Sequence, residues 1–291
     1  MKGVSIGRIV STIYIVVFLL YLLLPLVIMG GAAFNDTRFP SLYPWVGFTW
    51  RWFIDLFNDT RMWISFRNTI LVAVAVVVLS VPIGTAGAIL LNSVSPRTRT
   101  WLYGFMVAPI LTPGAVIGIS TLLFWWYIFG IGAGLHLSVL GQVSYIAAYS
   151  MLLVLARLQS FDRSLEEAAL DLGASHSQVL WRILVPHLYP ALAASALIGF
   201  FQSVENFNVT QFTKGNSETL TIYVFNKVRS GVTPTINALA LIMIVSTVAG
   251  LAIYEVVRRR RAAVVQAEAD AAAAAEKAEL ASLTTQTPVT A

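Results

Sequence analysis

Six long apolar runs alternate with shorter polar segments along this chain. They cover residues of about 9–33, 69–91, 102–127, 138–156, 188–208 and 236–257. A helix of about 20 predominantly apolar residues crosses a bilayer, and each run is close to that length. The pattern predicts an all-α membrane protein with six transmembrane helices within residues 1–261. An Ala/Glu-rich cytoplasmic tail, partly disordered, is expected over residues 262–291.

A polar island from Arg157 to Pro190 separates the fourth apolar run from the fifth. Ser164 and Glu167 have the spacing of a capping box, in which Ser164 is the N-cap and Glu167 reaches back to it. Gly173 is placed to end this short helix in a left-handed conformation. The apolar face of the helix consists of Leu165, Ala168, Ala169 and Leu172. A second capping box, Ser175 with Gln178, begins another helix that Pro186 is expected to close.

The first island helix is too short to be stable alone. Isolated helices shorter than about 12–15 residues are marginal in water. Its apolar face is narrow and carries small alanine side chains, which permit close approach to a partner. We therefore expect it to fill a groove on another polypeptide. The alternative is a surface helix without a partner.

The composition excludes several classes of protein. Only 11% of the residues are charged, whereas soluble proteins average about a quarter. Cysteine is absent and the three histidines lack ligand spacing, so no metal site is expected. No nucleotide-binding G-x-x-x-x-G-K-[ST] loop or hydrolase motif occurs. The basic residues are scattered at membrane edges, which argues against nucleic acid. The chain is therefore not expected to be an enzyme or to hydrolyse ATP itself.

Lysine and arginine in the short flanks favour cytoplasmic N- and C-termini. This orientation places Lys2, Arg8, Arg97, Arg99, Arg157, Arg163, Arg182 and residues 258–261 inside. The first outer loop, residues 34–68, nevertheless carries four arginines, so charge alone does not decide the orientation. The same loop is rich in aromatic residues and predicts an interfacial helix from about Arg51 to Phe57.

Proline and glycine interrupt the third run, which contains Pro109, Pro113, Gly114 and Gly118. Such residues bend a membrane helix or allow close helix packing. A moving substrate pathway would need such breaks, but close packing alone would also explain them, and the sequence leaves both explanations open. The fourth run is unusually polar, with Gln142, Ser144, Tyr145, Tyr149 and Ser150. It is expected to face protein or a cavity.

The fifth run predicts a polar stripe that consists of Ser195, Gln202, Glu205 and Asn206. An ionisable side chain in a membrane helix is costly and marks a substrate pathway by default. We therefore expect Glu205 to line such a pathway. The alternative is that Glu205 lies at the outer interface, solvated or paired with Lys214.

The polar island resembles the EAA loop of permease subunits of binding-protein-dependent ABC importers. The matching residues are Glu167-Ala168-Ala169, then Gly173, Ile183 and Pro186, with Val185 where leucine is usual. The resemblance implies a type I importer transmembrane domain. It also implies that residues 164–173 form a cytosolic coupling helix that docks into an ATPase subunit. The coupling residues are then expected to be Glu166, Glu167, Ala168, Ala169, Asp171 and Gly173.

The resemblance also implies the partners of the chain. These are a homologous second permease, two ATPase subunits, an extracytoplasmic substrate-binding protein and the lipid bilayer of the bacterial inner membrane. No cofactor is expected on this chain, because ATP and Mg²⁺ would bind the ATPase partner. The rival class is a stand-alone secondary transporter, which would show intramembrane charge pairs and inverted repeats.

Residues 213–240 resemble the spermidine/putrescine branch of these permeases. The resemblance covers residues of about 68–251 and makes a polyamine the first expectation for the substrate. Thr221 stands where proline is common, and Glu205-Asn206 replaces two consecutive aspartates. Aminophosphonates, ferric ion and sugars stay open as alternatives.

Overall fold

The computed structural model describes residues 6–231, 233–250, 252–253 and 255–260, and regular structure in these residues is helical. The first helices are α1 (Ile6–Ala32), α2 (Arg51–Phe57), α3 (Thr60–Ser93), α4 (Pro96–Leu111), α5 (Gly114–Phe129) and α6 (Leu135–Leu158). They are followed by α7 (Ser164–Asp171), α8 (His176–Val179), a π-helical turn (Leu180–Leu184), α9 (Val185–Val204), α10 (Asn208–Thr213) and α11 (Leu220–Ser230). The last helix, α12, covers Pro234–Arg260 apart from residues 251 and 254.

The predicted number of membrane crossings is confirmed by length and composition. Among the described residues, five helices are long and apolar enough to span a bilayer. Helices α4 and α5 pass the same test together, and counted as one span they bring the number to six. The expected cytoplasmic tail, residues 262–291, lies outside the described residues.

Helix α3 begins well before the apolar run that predicted it. Asp59 is its N-cap, and the carboxylate accepts hydrogen bonds from the backbone N–H groups of Arg61 and Met62 at 2.9 and 3.2 Å. A capping side chain satisfies the free donors of the first turn. The cap therefore sets the start of this helix, and hydropathy alone placed that start too late.

One compact unit comprises the described residues up to Phe53 together with the described residues from Thr233 to Arg260. In it, the buried side chain of Asn35 organises the loop after α1. Its amide nitrogen donates to the carbonyl oxygens of Ser41 and Pro44, both at 2.9 Å, and its amide oxygen accepts from Val46 N–H. Phe34 packs its ring against Phe48, Trp50 and Phe53 beside this loop. The expected helix Arg51–Phe57 is present as α2.

The second unit, Ile54–Val232, is built around α3, α6 and α9. One core cluster lies near the C-terminal halves of α3 and α6 and contains Ala88, Leu91, Met151, Val154, Leu155, Leu158 and Leu188. A second contains Val72, Val76, Val143 and Ile146. Helix α6 is the most buried candidate span of the described chain. This confirms that the polar fourth run faces protein.

The third apolar run is broken at its prolines. Helix α4 ends at Leu111, α5 begins at Gly114, and their axes differ by 103°. Pro113 has no N–H to continue the helix. A Cβ added at Gly118 would lie 2.9 Å from the carbonyl oxygen of Val209 in α10. The run therefore bends at its prolines and packs closely at its glycines, while a role of the bend in a moving pathway stays a prediction.

The prediction that Pro186 closes a helix is wrong. The chain stays helical from His176 to Val204. Just before Pro186 the helix widens into the π-helical turn, in which Val185 N–H bonds the Leu180 carbonyl oxygen. A wider turn accommodates a proline that lacks an N–H and would clash with the carbonyl four residues earlier. The predicted capping box of Ser175 and Gln178 at the start of α8 is confirmed.

A cluster of charged residues joins the start of α3 to α11, at the end of α3 remote from α7. We call it the Asp59–Glu218 cluster. Asp59 accepts from Lys227 at 2.9 Å and from the Tyr223 hydroxyl at 2.8 Å. Glu218 accepts from Arg61 Nε and from Asn226 Nδ2, both at 2.6 Å. The bonds of Asp59 and Arg61 connect segments more than a hundred residues apart in sequence and hold them together.

Acid should weaken this cluster. The Arg61 guanidinium, followed by Asn226, holds the pKa of Glu218 below its ordinary value. A lowered folded-state pKa contributes stability above the unfolded pKa of about 4.3, and this contribution is lost as the pH falls through the folded pKa. We expect the melting temperature of the solubilised protein to fall on acidification from about pH 6 to about pH 3.

At the higher pH, Glu218→Gln should have a lower melting temperature than wild type. On acidification, its melting temperature should fall less than that of wild type. Thermal unfolding across this pH range measures both effects. Glu167→Gln is the control for the loss of one carboxylate, since that residue is exposed and lies on α7. Equal pH dependence in wild type and Glu218→Gln would contradict the prediction.

Candidate functional site

Helix α7 forms where the polar island predicts it, but its start is capped differently. The helix runs from Ser164 to Asp171 with Arg163 as N-cap. Asp162 Oδ1 accepts from the Ser164 N–H at 2.9 Å, and this bond lowers the pKa of the Asp162 carboxyl. The capping box of Ser164 and Glu167 is therefore a wrong prediction. Instead, the Asp162 carboxylate accepts the hydrogen bond from the backbone N–H of Ser164.

The C-terminal end of α7 follows the prediction in detail. Gly173 has φ +85°, a left-handed conformation that glycine adopts without strain. Its N–H bonds the Leu170 carbonyl at 2.9 Å, and the Ala174 N–H bonds the Ala169 carbonyl at 3.0 Å. This pair of bonds is the Schellman motif that satisfies the last carbonyls of a helix. The glycine therefore fixes where the helix ends.

The apolar face of α7 lies open. Leu165 is 54% exposed and Leu172 is 89% exposed, while Ala168 is exposed and Ala169 partly so. Of the predicted coupling residues, Glu167, Asp171 and Gly173 are also exposed, whereas Glu166 is half-buried. Glu166 and Arg163 line a cleft of about 350 Å³ against the ends of α3 and α6. One side of α7 is thus supported by this chain, and its leucines face outward.

Reciprocal contacts connect the two ends of the polar island. Arg157 Nε, at the end of α6, donates to the His187 carbonyl at 3.1 Å, and His187 Nε2 lies 3.4 Å from the Arg157 carbonyl. The His187 ring also packs on Phe161 at 5.1 Å between centroids. Arg163 Nη2 donates to the Asn92 carbonyl at the end of α3 at 3.2 Å. The island is therefore tied to three long helices at its base.

The polar stripe predicted on the fifth run is interrupted. Ser195 and Gln202 lie in α9, but the helix ends at Val204, so Glu205 is its C-cap and Asn206 lies beyond it. Ser195 is buried and its hydroxyl oxygen has no hydrogen-bond partner in the described part of the chain. Glu205 is exposed. Lys214 Nζ bonds the Gly215 carbonyl at 3.2 Å, so the described residues do not show the alternative pairing with Glu205.

A buried hydrogen-bond network occupies the break between α9 and α10. Gln142 donates to Thr210 Oγ1 at 3.0 Å and accepts from the Ser203 hydroxyl at 2.6 Å. Asn206 donates to the Tyr145 hydroxyl at 2.7 Å and accepts from the Thr210 hydroxyl at 3.2 Å. Such a network satisfies the polar groups that a broken helix leaves exposed at membrane depth. It connects α6 to both sides of the break.

The two positions that depart from the spermidine/putrescine pattern contact each other. The Thr221 hydroxyl donates to the backbone carbonyl oxygen of Asn206 at 3.1 Å. The Asn206 amide also donates to Tyr145, which an aspartate carboxylate cannot do. An uncharged residue at position 206 therefore suits this network.

The sequence did not single out several of these residues. His187 looks like an ordinary loop residue in the sequence, and the role of Thr210 depends on a break that hydropathy does not reveal. Tyr145 and Tyr149 were named only as polar residues of the fourth run, although their i, i+4 spacing indicates a shared helix face. This spacing places both rings on one face of α6, 6.5 Å apart between centroids.

Comparison with known proteins decides the family. Residues 80–263 match the family described as "Binding-protein-dependent transport system inner membrane component". The matched region includes the polar island from Arg157 to Pro190, which contains α7, and the α9–α10 break. The chain belongs to this family. It is therefore a permease subunit of an ABC importer and an inner membrane protein, as predicted.

Curated relatives of this permease carry polyamine names. It is 32% identical over 241 residues to the spermidine/putrescine transport system permease protein PotC of Haemophilus influenzae, covering 82% of this chain and 93% of the relative. It is 30% identical over 231 residues to the putrescine transport system permease protein PotI of Escherichia coli K12, covering 77% and 82% respectively.

A solved structure shares the fold of this permease. A bacterial ABC transporter involved in the import of the acidic polysaccharide alginate aligns with a TM-score of 0.67 at 19% identity. The alignment covers 89% of this chain and 99% of that chain. It confirms the predicted architecture of a type I importer transmembrane domain.

Proposed function

We propose that this permease translocates a polyamine of the spermidine/putrescine class. The solute would be delivered by a substrate-binding protein, and the energy would come from ATP hydrolysed by partner subunits. The observation that supports an external energy source is the open apolar face of α7, which a partner can cover. The sequence itself has no nucleotide-binding loop. In the assembly this chain pairs with a second, homologous permease and two ATPase subunits, as its family resemblance implies.

Three features of the polar island support a coupling role. Leu165 of α7 and its C-cap Leu172 are exposed, which suits a hydrophobic groove on a partner. The helix has a fixed end at Gly173, so it can move as one short body. Arg157, Arg163 and His187 tie its flanks to α3, α6 and α9. A displacement of α7 by the ATPase would therefore act on the helices that form the membrane core.

Transport requires that the ATPase bind the two membrane states differently. A partner shifts a conformational equilibrium only by its differential affinity for the two states. In the proposed cycle, closure of the ATPase dimer displaces α7 and favours the state open to the outside. The bend at Pro113 and the α9–α10 break are two discontinuities next to candidate membrane helices of the second unit. We assign the movement to these two places.

The polyamine assignment is supported by the names of the relatives and by Glu205. Both relatives are named for spermidine or putrescine transport. The exposed carboxylate of Glu205 follows directly on a candidate membrane helix and precedes the network residue Asn206. A carboxylate in this position suits a cationic solute and disfavours an anionic one.

Replacing Glu205 with glutamine should weaken transport of a dication. A hydrogen bond to a charged group contributes about 1.5–3 kcal/mol, so we expect at least about a tenfold lower rate of putrescine uptake at low substrate. The assay uses proteoliposomes that contain the whole assembly and the loaded binding protein. Glu205→Asp, which keeps the charge, should retain most of the uptake.

Two outcomes of this assay count against the proposal in different ways. Unchanged putrescine uptake by Glu205→Gln would remove Glu205 from the pathway. If the wild-type assembly imports no polyamine, the polyamine assignment is wrong even when its ATPase activity responds to a loaded binding protein. If the assembly imports another solute under the same conditions, the importer function stands and that solute is the substrate.

A further inference from the structure

A polar cavity lies between the two interruptions of the membrane core. It has a volume of about 200 Å³ and is bounded by the bend between α4 and α5, by α6 and by the start of α10. Its polar lining consists of Thr112, Tyr145, Tyr149, Asn206 and Asn208. At about 30 Å³ per water molecule, it has room for about six waters. A short aminoalkyl group fits in this space.

Some hydrogen-bond donors in the cavity lining already bond other groups of the protein. The Thr112 hydroxyl donates to the Ala108 carbonyl at 3.0 Å, so its oxygen presents lone pairs. The Tyr145 hydroxyl oxygen accepts from Asn206 at 2.7 Å. A lining with available oxygen acceptors suits a ligand that carries several donors and no acceptor. A primary ammonium group is such a ligand.

The charge of the surroundings also favours a cation. The residues found to line the cavity in the described chain include no lysine, arginine or histidine. Glu205 directly precedes the lining residue Asn206, whose amide donates to the Tyr145 hydroxyl. The rings of Tyr145 and Tyr149 are nearly perpendicular, at 81°, and present two different aromatic walls. Aromatic faces attract ammonium groups through the ring quadrupole.

We propose that this cavity, with the Tyr145 and Tyr149 rings and the hydroxyl oxygen of Thr112, binds the primary ammonium group of the substrate. The proposal rests on the polyamine function proposed above and assigns to this chain a recognition step of its own. Selection of the solute would then occur in the permease as well as in the binding protein. An anionic group would meet Glu205 and no cationic lining residue.

The absence of cysteine from this chain permits a direct test. Ile117→Cys places a single thiol in the cavity wall of the full importer assembly without removing a proposed ligand, and methyl methanethiosulfonate labels it at a measurable rate. Putrescine should slow this labelling by a factor of 1 + [L]/Kd, about fivefold at four times Kd. Butane-1,4-diol, which has the same carbon chain without charge, should not slow it.

Second-site variants show whether the aromatic walls matter. In the Ile117→Cys background, Tyr149→Leu should abolish most of the protection and Tyr149→Phe should retain it. Tyr127→Cys is the control for labelling, because that side chain is 78% exposed on α5 and lies outside the cavity lining. Its labelling should be insensitive to putrescine.

Equal protection by putrescine and butane-1,4-diol would overturn the ammonium site. Full protection in the Tyr149→Leu background would also overturn it. These results concern binding, so they are separate from a failure of the proposed function, which shows as absent polyamine uptake by the wild-type assembly. If polyamine uptake is normal but putrescine does not slow the labelling, the proposed function stands and the ammonium site is wrong.

Discussion

Ala168→Trp should abolish solute uptake while the protein still inserts into the membrane. Ala168 is exposed on the open face of α7, so the larger side chain meets no core of its own chain. In the docked assembly it would meet the wall of the ATPase groove. Overpacking of a fitted interface costs up to about 3 kcal/mol, which is about a hundredfold in the docking equilibrium.

Uptake and subunit association in proteoliposomes measure this effect. The variant should be present at wild-type abundance but should retain little ATPase subunit after purification. Ala168→Ser, which is nearly isosteric, should behave as wild type. Normal uptake by Ala168→Trp would count heavily against docking through this face.

Substitutions at Gly173 should reduce coupling in the order set by their backbone preferences. A Cβ at this position meets no atom within 4 Å, so steric crowding contributes nothing. The cost comes from φ +85°, which is about 1–2 kcal/mol for an alanine. Gly173→Asn should be tolerated best, because asparagine adopts this conformation more readily. Gly173→Pro should abolish uptake, since proline fixes φ near −65° and loses the N–H that bonds Leu170.

The ratio of solute imported to ATP hydrolysed is the informative measurement for this series. Displacement of the end of α7 should lower the ratio more than it lowers ATPase activity alone. Gly104→Ala is a matched control, because a Cβ there also meets no atom within 4 Å and no left-handed backbone is involved. The account of the helix end fails if Gly173→Pro and Gly173→Asn couple equally well.

Sequence reasoning predicted the elements whose causes are local. The six crossings follow from the length of the apolar runs, and the end of α7 follows from a glycine at the required position. The capping box at Ser175 likewise depends on residues within one turn. These features hold because adjacent side chains and backbone groups determine them.

Features set by distant residues or by competing caps were not predicted. Asp162 displaced Ser164 as the group that serves the first turn of α7, although both residues are capable of capping. The helix passes Pro186 because a π-helical turn accommodates it. The stripe through Glu205 assumed a continuous helix, whereas the polar network with Gln142, Asn206 and Thr210 occupies a break. Periodicity alone gives no sign of such a break.

The cavity beside the α9–α10 break also depends partly on local residues and partly on distant ones. The sequence indicated that the fourth run faces protein or a cavity, and Tyr145 and Tyr149 do line one. However, the residues opposite them come from the ends of α4 and from the start of α10. Their proximity depends on the 103° bend and on the α9–α10 break together. Such proximity is a property of the tertiary structure.

Cross-linking from Leu172 tests the central claim most directly. The chain lacks cysteine, so Leu172→Cys carries a single thiol on a side chain that is 89% exposed in wild type. Asn216→Cys, also exposed but located beside the Asp59–Glu218 cluster, is the matched control. In intact cells with the full assembly, a short thiol-to-amine cross-linker should join Leu172→Cys to the ATPase subunit and should leave Asn216→Cys unjoined. The account would be contradicted if a membrane-impermeant thiol reagent labelled Leu172→Cys from outside the cell and no ATPase adduct formed.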